Sequence, residues 1–193
     1  MTIANRGDKE HVVNMLVQSF KDNLSVNYIV LQDKYKLKRI LGLMDYSFEL
    51  CFLYGNVWLS DDRRACALTL FSQQKKSTLY TIWLDIKLIY QTIGFSGISK
   101  ALKRESLIKK LQPKVAMVYL WFIGVDPLYQ QQGAGTSLLL EIIESANREK
   151  LPVFLETSTH RNIPWYERMG FSIYNKLDLG YELFFFKRDP ENI

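Results

Sequence analysis

Cysteine and histidine are scarce: 193 residues contain two of each, Cys51 and Cys66, His11 and His160. Both cysteines stand in apolar surroundings, which reads as buried free thiols rather than a disulfide, a metal site or a nucleophile. So few histidines argue against a structural zinc site, and no metal is expected. No run of about 18 apolar residues occurs, and Met1 to Asp8 lacks the apolar segment of a signal peptide. A soluble, cytoplasmic protein without a membrane partner is therefore expected. Low-complexity tracts, internal repeats and Pro/Gly/Ser-rich linkers are also missing, which predicts one domain over residues 1–193. A hydrophobic content of 48% suits a sizeable core. Charge of one sign is not strong either. The net charge of +5 suits an anionic ligand but is too mild and scattered to indicate nucleic acid.

What is present is most informative around residue 130. Met117 to Val125 is β-branched, aromatic or aliphatic almost without interruption, the pattern of a strand buried on both faces, and Pro127 ends it. After Gln130, Gln131, Gln132, Gly133, Ala134 and Gly135, the apolar positions Leu138, Leu139, Ile142, Ile143 and Ala146 recur at helical spacing. A helix thus begins near Gly135 or Thr136. Its first N–H groups are unpaired and carry about half a positive charge, and glycines let an anion reach them without meeting a Cβ. This is a candidate phosphate cradle. It lacks the Gly-Lys-Ser/Thr of a Walker A loop and the full glycine pattern of a dinucleotide fold. A tight strand-to-helix turn with no ligand could carry the same glycines.

Elsewhere the spacing predicts an amphipathic helix from Asp8 to Phe20, with Val12, Val13, Leu16, Val17 and Phe20 inward. Asp22 to Ser25 breaks it. Ser25 can cap a second helix running to about Leu43, with Ile29, Leu37, Ile40 and Leu41 inside. Strands are expected at about Glu49 to Leu59 and Ala65 to Phe71, joined by a turn at Ser60 to Arg64. From Thr78 to Leu111, Leu79, Ile82, Trp83, Ile86, Ile89 and Ile93 repeat with helical period, and a basic helix from Ile98 to Lys110 follows. Tyr80, Trp83 and Tyr90 would serve recognition if exposed, but core packing is the expected role of most of them. Lys100, Lys103, Arg104, Lys109 and Lys110 read as a solvated face. Pro152 to Thr157 is a short strand parallel to the earlier one. Asn162 starts a short helix ended by Gly170, and strands at Phe171 to Leu177 and Tyr181 to Lys187 form a closing hairpin. Glu156 interrupts an apolar strand, where an unpaired carboxylate would be costly. It is a candidate general base with a pKa raised by burial, or a structural acceptor for the Ser158 to Arg161 loop. His160 is a weaker candidate base.

The run from Gly124 to Leu139 resembles motif A of the GNAT acetyltransferases, with Gln130, Gly133 and Gly135 in the places of its Gln/Arg-x-x-Gly-x-Gly/Ala consensus. The segment Leu155 to Phe171 resembles the same family's later signature, through Asn162, Tyr166, Gly170 and Phe171. The sequence looks most like the branch of puromycin N-acetyltransferase. Many members carry Arg-Gly where this chain has Gln130 and Gln131, so the first turn is bulkier and less basic here.

The resemblance implies an α+β fold: a mixed, mostly antiparallel sheet flanked by helices, with splayed parallel central strands and a helical insertion at about 78–111. It implies an acetyl-CoA-dependent N-acetyltransferase acting on the primary amine of a small molecule. An O-acetyltransferase, a peptide N-acetyltransferase or a non-catalytic acyl-CoA sensor are the alternatives on the same scaffold. Acetyl-CoA would lie along Ile123, Gly124 and Val125. Its pyrophosphate would rest on Gln131, Gln132, Gly133, Ala134, Gly135 and Thr136, beside Gln130. Asn162 would meet the pantetheine arm unless it only caps its helix. Tyr166 would be the general acid, and Asp22, Asn23 and Tyr28 would meet the acceptor. The insertion could form a lid over that acceptor or a dimer surface. Oligomeric state stays open, a homodimer being common in the family.

Overall fold

Apolar positions at helical spacing fold here as helices, some begun by a polar cap and others without one. The computed structural model describes residues 1–74 and 76–191. A short strand that sequence periodicity does not reveal, β1 (Thr2–Ile3), leads through a turn capped by Asn5 into α1 (Lys9–Phe20). Val12, Val13, Leu16 and Val17 of α1 are buried, as their spacing predicts. Asn23, not Ser25, caps α2 (Leu24–Ile29): its side chain accepts from the Val26 amide at 3.1 Å. Asn23 is the last extended residue before the helix, so its oxygen reaches a free amide, whereas Ser25 is already inside the first turn.

The helix expected to run unbroken to Leu43 is divided, and α3 (Lys36–Tyr54) continues well past that point. Residues 49–54, expected as strand, belong to α3. The segment is apolar enough for either state, and packing decides. Ile40, Leu43, Met44, Ser47, Phe48 and Cys51 fall on one buried helical face, while Leu37 and Leu41, expected inside, point outward. The helix passes into β2 (Gly55–Leu59) without a loop. A Cβ at Gly55 would stand 1.9 Å from the Thr69 carbonyl oxygen, so only glycine fits that junction.

The turn at Ser60 leads to β3 (Ala65–Phe71), with the Ser60 hydroxyl accepting from the Arg64 and Ala65 amides. The 78–111 segment folds as α4 (Leu79–Leu88), a π turn and α5 (Ile98–Leu111). Then come β4 (Val118–Val125), α6 (Ala134–Arg148), β5 (Val153–Thr157), α7 (Ile163–Arg168), β6 (Ser172–Asp178) and β7 (Glu182–Arg188). β4 alternates buried with half-buried residues rather than being sealed on both faces. The strands form one sheet in the order β1-β2-β3-β4-β5-β7-β6, antiparallel except for β4 with β5. The mixed, mostly antiparallel α+β architecture expected of the sequence is thus the one observed. α1 and α3 cover one face and α6 the other. Among the described residues no helix is long and apolar enough to cross a membrane.

One expectation is reversed in α4. Its stripe of Leu79, Ile82, Trp83 and Ile86 is exposed, Leu79 to 88%, and so are Tyr80 and Tyr90. The side that docks carries Leu84, which is buried in the core, flanked by polar contacts. Tyr80 donates to Glu49 at 3.0 Å, Lys87 pairs with Asp45 at 2.9 Å, and Tyr46 donates to Asp85 at 2.7 Å. Glu49 is buried and also binds Arg6 and Lys9, so this ionic network together with Leu84 fixes which side of α4 faces α3.

In α6 the apolar stripe does face the sheet: Leu139 is fully buried and Leu140 is exposed. Leu139→Ala should lower stability by about 2–5 kcal/mol, whereas Leu140→Ala should stay within about 0.5 kcal/mol of wild type. Urea unfolding of both variants reads the difference, and equal losses would mean that α6 is rotated.

Candidate active site

Parallel strands that stop pairing leave backbone groups that must find another partner. β4 and β5 pair only at Val118 with Val153 and Tyr119 with Phe154. A bulge begins there. Thr69 of β3 pairs with Leu120 and Leu68 with Phe122, so Trp121 is the extra residue that bends β4 away. Farther along, the Asp126 amide donates to the Arg64 carbonyl at 2.9 Å. Backbone direction alternates along a strand, so Asp126, Gly124 and Phe122 address β3 while Val125 and Ile123 turn toward β5. β5 is no longer paired there. The Val125 carbonyl is met by the Ser19 hydroxyl at 2.9 Å, and the Ile123 and Val125 amides face the opening. Gly124 has its own reason: a Cβ would lie 3.1 Å from Leu16 and Ser19 of α1.

The opening runs into the start of α6. Asp126 caps the turn Pro127–Tyr129 through the Leu128 amide, and the chain then enters left-handed backbone at Gln131 (φ 63°) and Gly133 (φ 89°). α6 begins at Ala134 with no side-chain cap on its free amides. Successive N–H groups around left-handed residues form a concave anion site, and the helix dipole adds to it. Gln131, Gln132 and Gly133 are exposed, and Ala134 to Thr136 are half-buried. Gly135 serves the helix–strand contact, since its Cβ would come within 3.0 Å of the Val125 side chain. Gln131 holds a conformation that costs a non-glycine residue about 1 kcal/mol, at the position where the resembling motif places glycine. Gln130 turns back toward the Val125 carbonyl at 3.4 Å.

α7 closes this end. Trp165 donates from its indole to the Thr136 hydroxyl at 3.0 Å, tying α7 to the first turn of α6. Asn162 stands at the N-cap of α7, yet its side chain makes no cap bond, so capping does not account for it. Tyr166 is buried against Trp165, Phe171 and Phe186, with ring centroids 4.7, 5.8 and 5.4 Å away. Burial raises its phenol above the ordinary value, so it stays protonated. Its hydroxyl has no hydrogen bond from the described residues. It is not sealed off, because the only buried, unpartnered side-chain polar atoms among those residues are Asn27 Oδ1 and Thr92 Oγ1.

On the opposite face of the sheet, Glu156 of β5 accepts from Gln112 Nε2 at 2.8 Å and from the hydroxyl of Tyr119 on β4. The alternative of a structural acceptor for the Ser158 to Arg161 loop is not what is found. Thr157 and α2 hold that loop: the Thr159 amide donates to Thr157 Oγ1 at 3.1 Å, the Ser25 amide to Ser158 Oγ at 3.3 Å, and Asn23 to Thr159 Oγ1 at 3.4 Å. Enclosure raises the Glu156 carboxyl above its ordinary range despite the two hydrogen bonds that favour its charge. Burial and then the Glu156 charge push Tyr119 upward as well. His160 is exposed and lies 3.2 Å from Glu182.

Of the expected acceptor residues, Asn23 and Tyr28 join this region and Asp22 stays at the surface. Tyr28 meets Tyr181 edge-on at 5.4 Å, with Lys100 Nζ 3.8 Å from its ring. Arg104, read in the sequence as part of a solvated face, is half-buried. It donates to Ser25 Oγ at 2.6 Å and to the Tyr181 hydroxyl at 3.3 Å. The signal was present: Lys100 and Arg104 precede the buried Ile108 at four-residue steps. Tyr119, Gln112, Ser25 and Tyr181 complete the region and were not foreseen. Cys51 and Cys66 are buried and form no disulfide, and burial pushes the Cys66 thiol up to about 12. Among the described residues no cluster of three or more metal-ligating side chains occurs.

The family model described as acetyltransferase (GNAT) family matches residues 47–171, from α3 through the end of α7. The chain belongs to the GNAT acetyltransferase family. Solved structures with the same fold include the histone acetyltransferase HPA2 and related acetyltransferase from Corynebacterium glutamicum. It is 17% identical at a TM-score of 0.70, covering 99% of this chain and 96% of that one. Arylalkylamine N-acetyltransferase 2 from Aedes aegypti is 14% identical at 0.63, covering 98% of each chain. The ribosomal-protein-S18-alanine N-acetyltransferase from Escherichia coli is 14% identical at 0.52, covering 100% of this chain and 94% of that one. In this GNAT acetyltransferase, motif A spans the β4–α6 junction and the later signature spans β5 and α7.

Because the folded Glu156 is harder to ionise than the unfolded one, its contribution to stability is complete below the ordinary value of 4.5 and is lost as pH rises through the folded value. Glu156→Gln, which keeps an acceptor for Tyr119, should therefore gain on wild type as pH is raised above 4.5. Chemical denaturation from about pH 4 to 8 measures this. A difference that is flat in pH would show that the carboxyl is solvated.

Proposed function

We propose that this GNAT acetyltransferase moves the acetyl group of acetyl-CoA onto the primary amine of a small molecule by direct attack. The supporting observation is the opening between β4 and β5, where the Ile123 and Val125 amides lead into the uncapped start of α6. A diphosphate suits amides at a glycine-lined helix start, and an extended amide-bearing arm suits a strand edge with free N–H groups. Acetyl-CoA supplies the thioester. The Ile123 and Val125 amides orient the arm, Asn162 is free to bind it, and the Val125 N–H is the donor for the oxygen that becomes negative at the tetrahedral carbon.

The remaining residues handle protons. The amine nitrogen forms a bond to the acetyl carbon, and the carbon–sulfur bond breaks. Glu156, an enclosed carboxylate with a raised pKa, receives the proton that the amine loses, directly or through a water. Tyr166, held protonated by burial, gives its phenolic proton to the leaving thiolate. The names of the solved relatives that carry the same fold, an arylalkylamine and an S18-alanine N-acetyltransferase, favour nitrogen as the acceptor atom.

Thiol release from acetyl-CoA with a panel of alkylamines, aromatic amines and a short peptide is the test. Turnover with an amine is expected. Calorimetric CoA binding without turnover on any amine would overturn the transferase reading. Gly135→Val should abolish CoA binding, because the side chain collides with Val125 and displaces the helix start, and unchanged affinity would remove the cradle. Tyr166→Phe should leave CoA affinity intact and lower kcat by about 10²-fold or more.

A further inference from the structure

Arginines in this protein are commonly neutralised: Arg6, Arg39, Arg63, Arg64, Arg148 and Arg188 each lie within ion-pair distance of a carboxylate. Arg104 is half-buried and has none among the described residues. It is held by two neutral hydroxyls, Ser25 Oγ at 2.6 Å and Tyr181 OH at 3.3 Å. These fix the guanidinium through Nη2 and Nε, and Nη1 has no protein acceptor among the described residues. One turn earlier on α5, Lys100 lies over Tyr28 at 3.8 Å, again with no carboxylate partner among the described residues. Its neighbour Glu105 is turned to Lys109 at 3.3 Å. Glu156 lies close enough to feel the charge of Arg104 but forms no ion pair with it.

A partly desolvated guanidinium without a counter-ion is unfavourable, and a fixed fork is the geometry that receives a planar carboxylate through two parallel hydrogen bonds. The same region therefore offers an enclosed acid, Glu156, and an anchored cation, Arg104, that has no ion-pair partner among the described residues, with Lys100 beside it. Resting on the acetyl-transfer reading above, we propose that the acceptor is an amine that also carries a carboxylate. Its amino group is directed to Glu156 and its carboxylate is read by Arg104. Tyr28 and Tyr181, packed edge-on at 5.4 Å, add apolar ring surface beside these groups. Arg104 is a specificity residue in this scheme and takes no part in bond making.

The test compares β-alanine, 4-aminobutyrate and 5-aminopentanoate with propylamine, butylamine and pentylamine, in which a methyl group replaces each carboxylate. With acetyl-CoA fixed, the best amino carboxylate should exceed its matched alkylamine in kcat/KM by about 10- to 100-fold, mainly through KM. Arg104→Gln, which removes the charge but keeps a polar side chain, should bring that ratio close to one, and Arg104→Lys should keep part of it. CoA affinity, measured on each variant, shows that the fold is intact. Alkylamines accepted as well as amino carboxylates, or a preference that survives Arg104→Gln, would overturn the inference and leave acetyl transfer standing. Failure of both series with CoA bound would overturn the inference and the small-amine reading together.

Discussion

Pairing between β4 and β5 lasts for two residue pairs and then stops, and the rest of the candidate site depends on that stop. Had the strands continued in register, the Ile123 and Val125 amides would be consumed by β5, and no edge would lead from the sheet to the start of α6. The interruption has a local cause in the extra residue at Trp121, which β3 cannot match. An unmade backbone bond is costly only where neither water nor a ligand replaces it. The opening is tolerated because it is an opening.

Around it the molecule separates its tasks by face. The amides and the start of α6 would offer a surface to an anion and an extended arm under the proposed function, with α7 and Tyr166 at that end. The polar cluster of Glu156, Tyr119, Gln112 and Arg104 lies on the other side, against α2 and α5. A reaction at the parallel strands would thus draw its donor from one direction and its acceptor from another. A protein acid buried among rings and a protein base enclosed in the seam would both sit near neutral charge, each for the same reason of desolvation.

The sequence was most legible where one local rule acts alone. The β4 run, the glycines at 133 and 135, the stripe of α6 and the strand around Glu156 are all local patterns, and each element appears close to its expected bounds. Residues 49–54 were misread because an apolar run does not distinguish strand from helix until its packing partners are known. α4 was read inside out because its orientation is set by the burial of Leu84 and by Glu49, Arg6 and Lys9, which are remote in sequence. Arg104 was missed for a related reason. A cation in a lysine-rich helix looks solvated until the chain shows that Ser25 and Tyr181 arrive to hold it.

The seam between the sheet's two halves is held very differently on its two sides. On the α6 side, Leu138, Leu139 and Ile142 join Trp58 and Ala67 of one half to Val153, Leu155 and Phe186 of the other in a single apolar mass that water cannot replace. On the α2 side, hydroxyls, amides and one carboxyl span the gap, and water can substitute for each of those bonds at little net expense. The molecule is therefore bound like a book: α6 is the spine, and α2 with α5 is the fore-edge at which it can be leafed open.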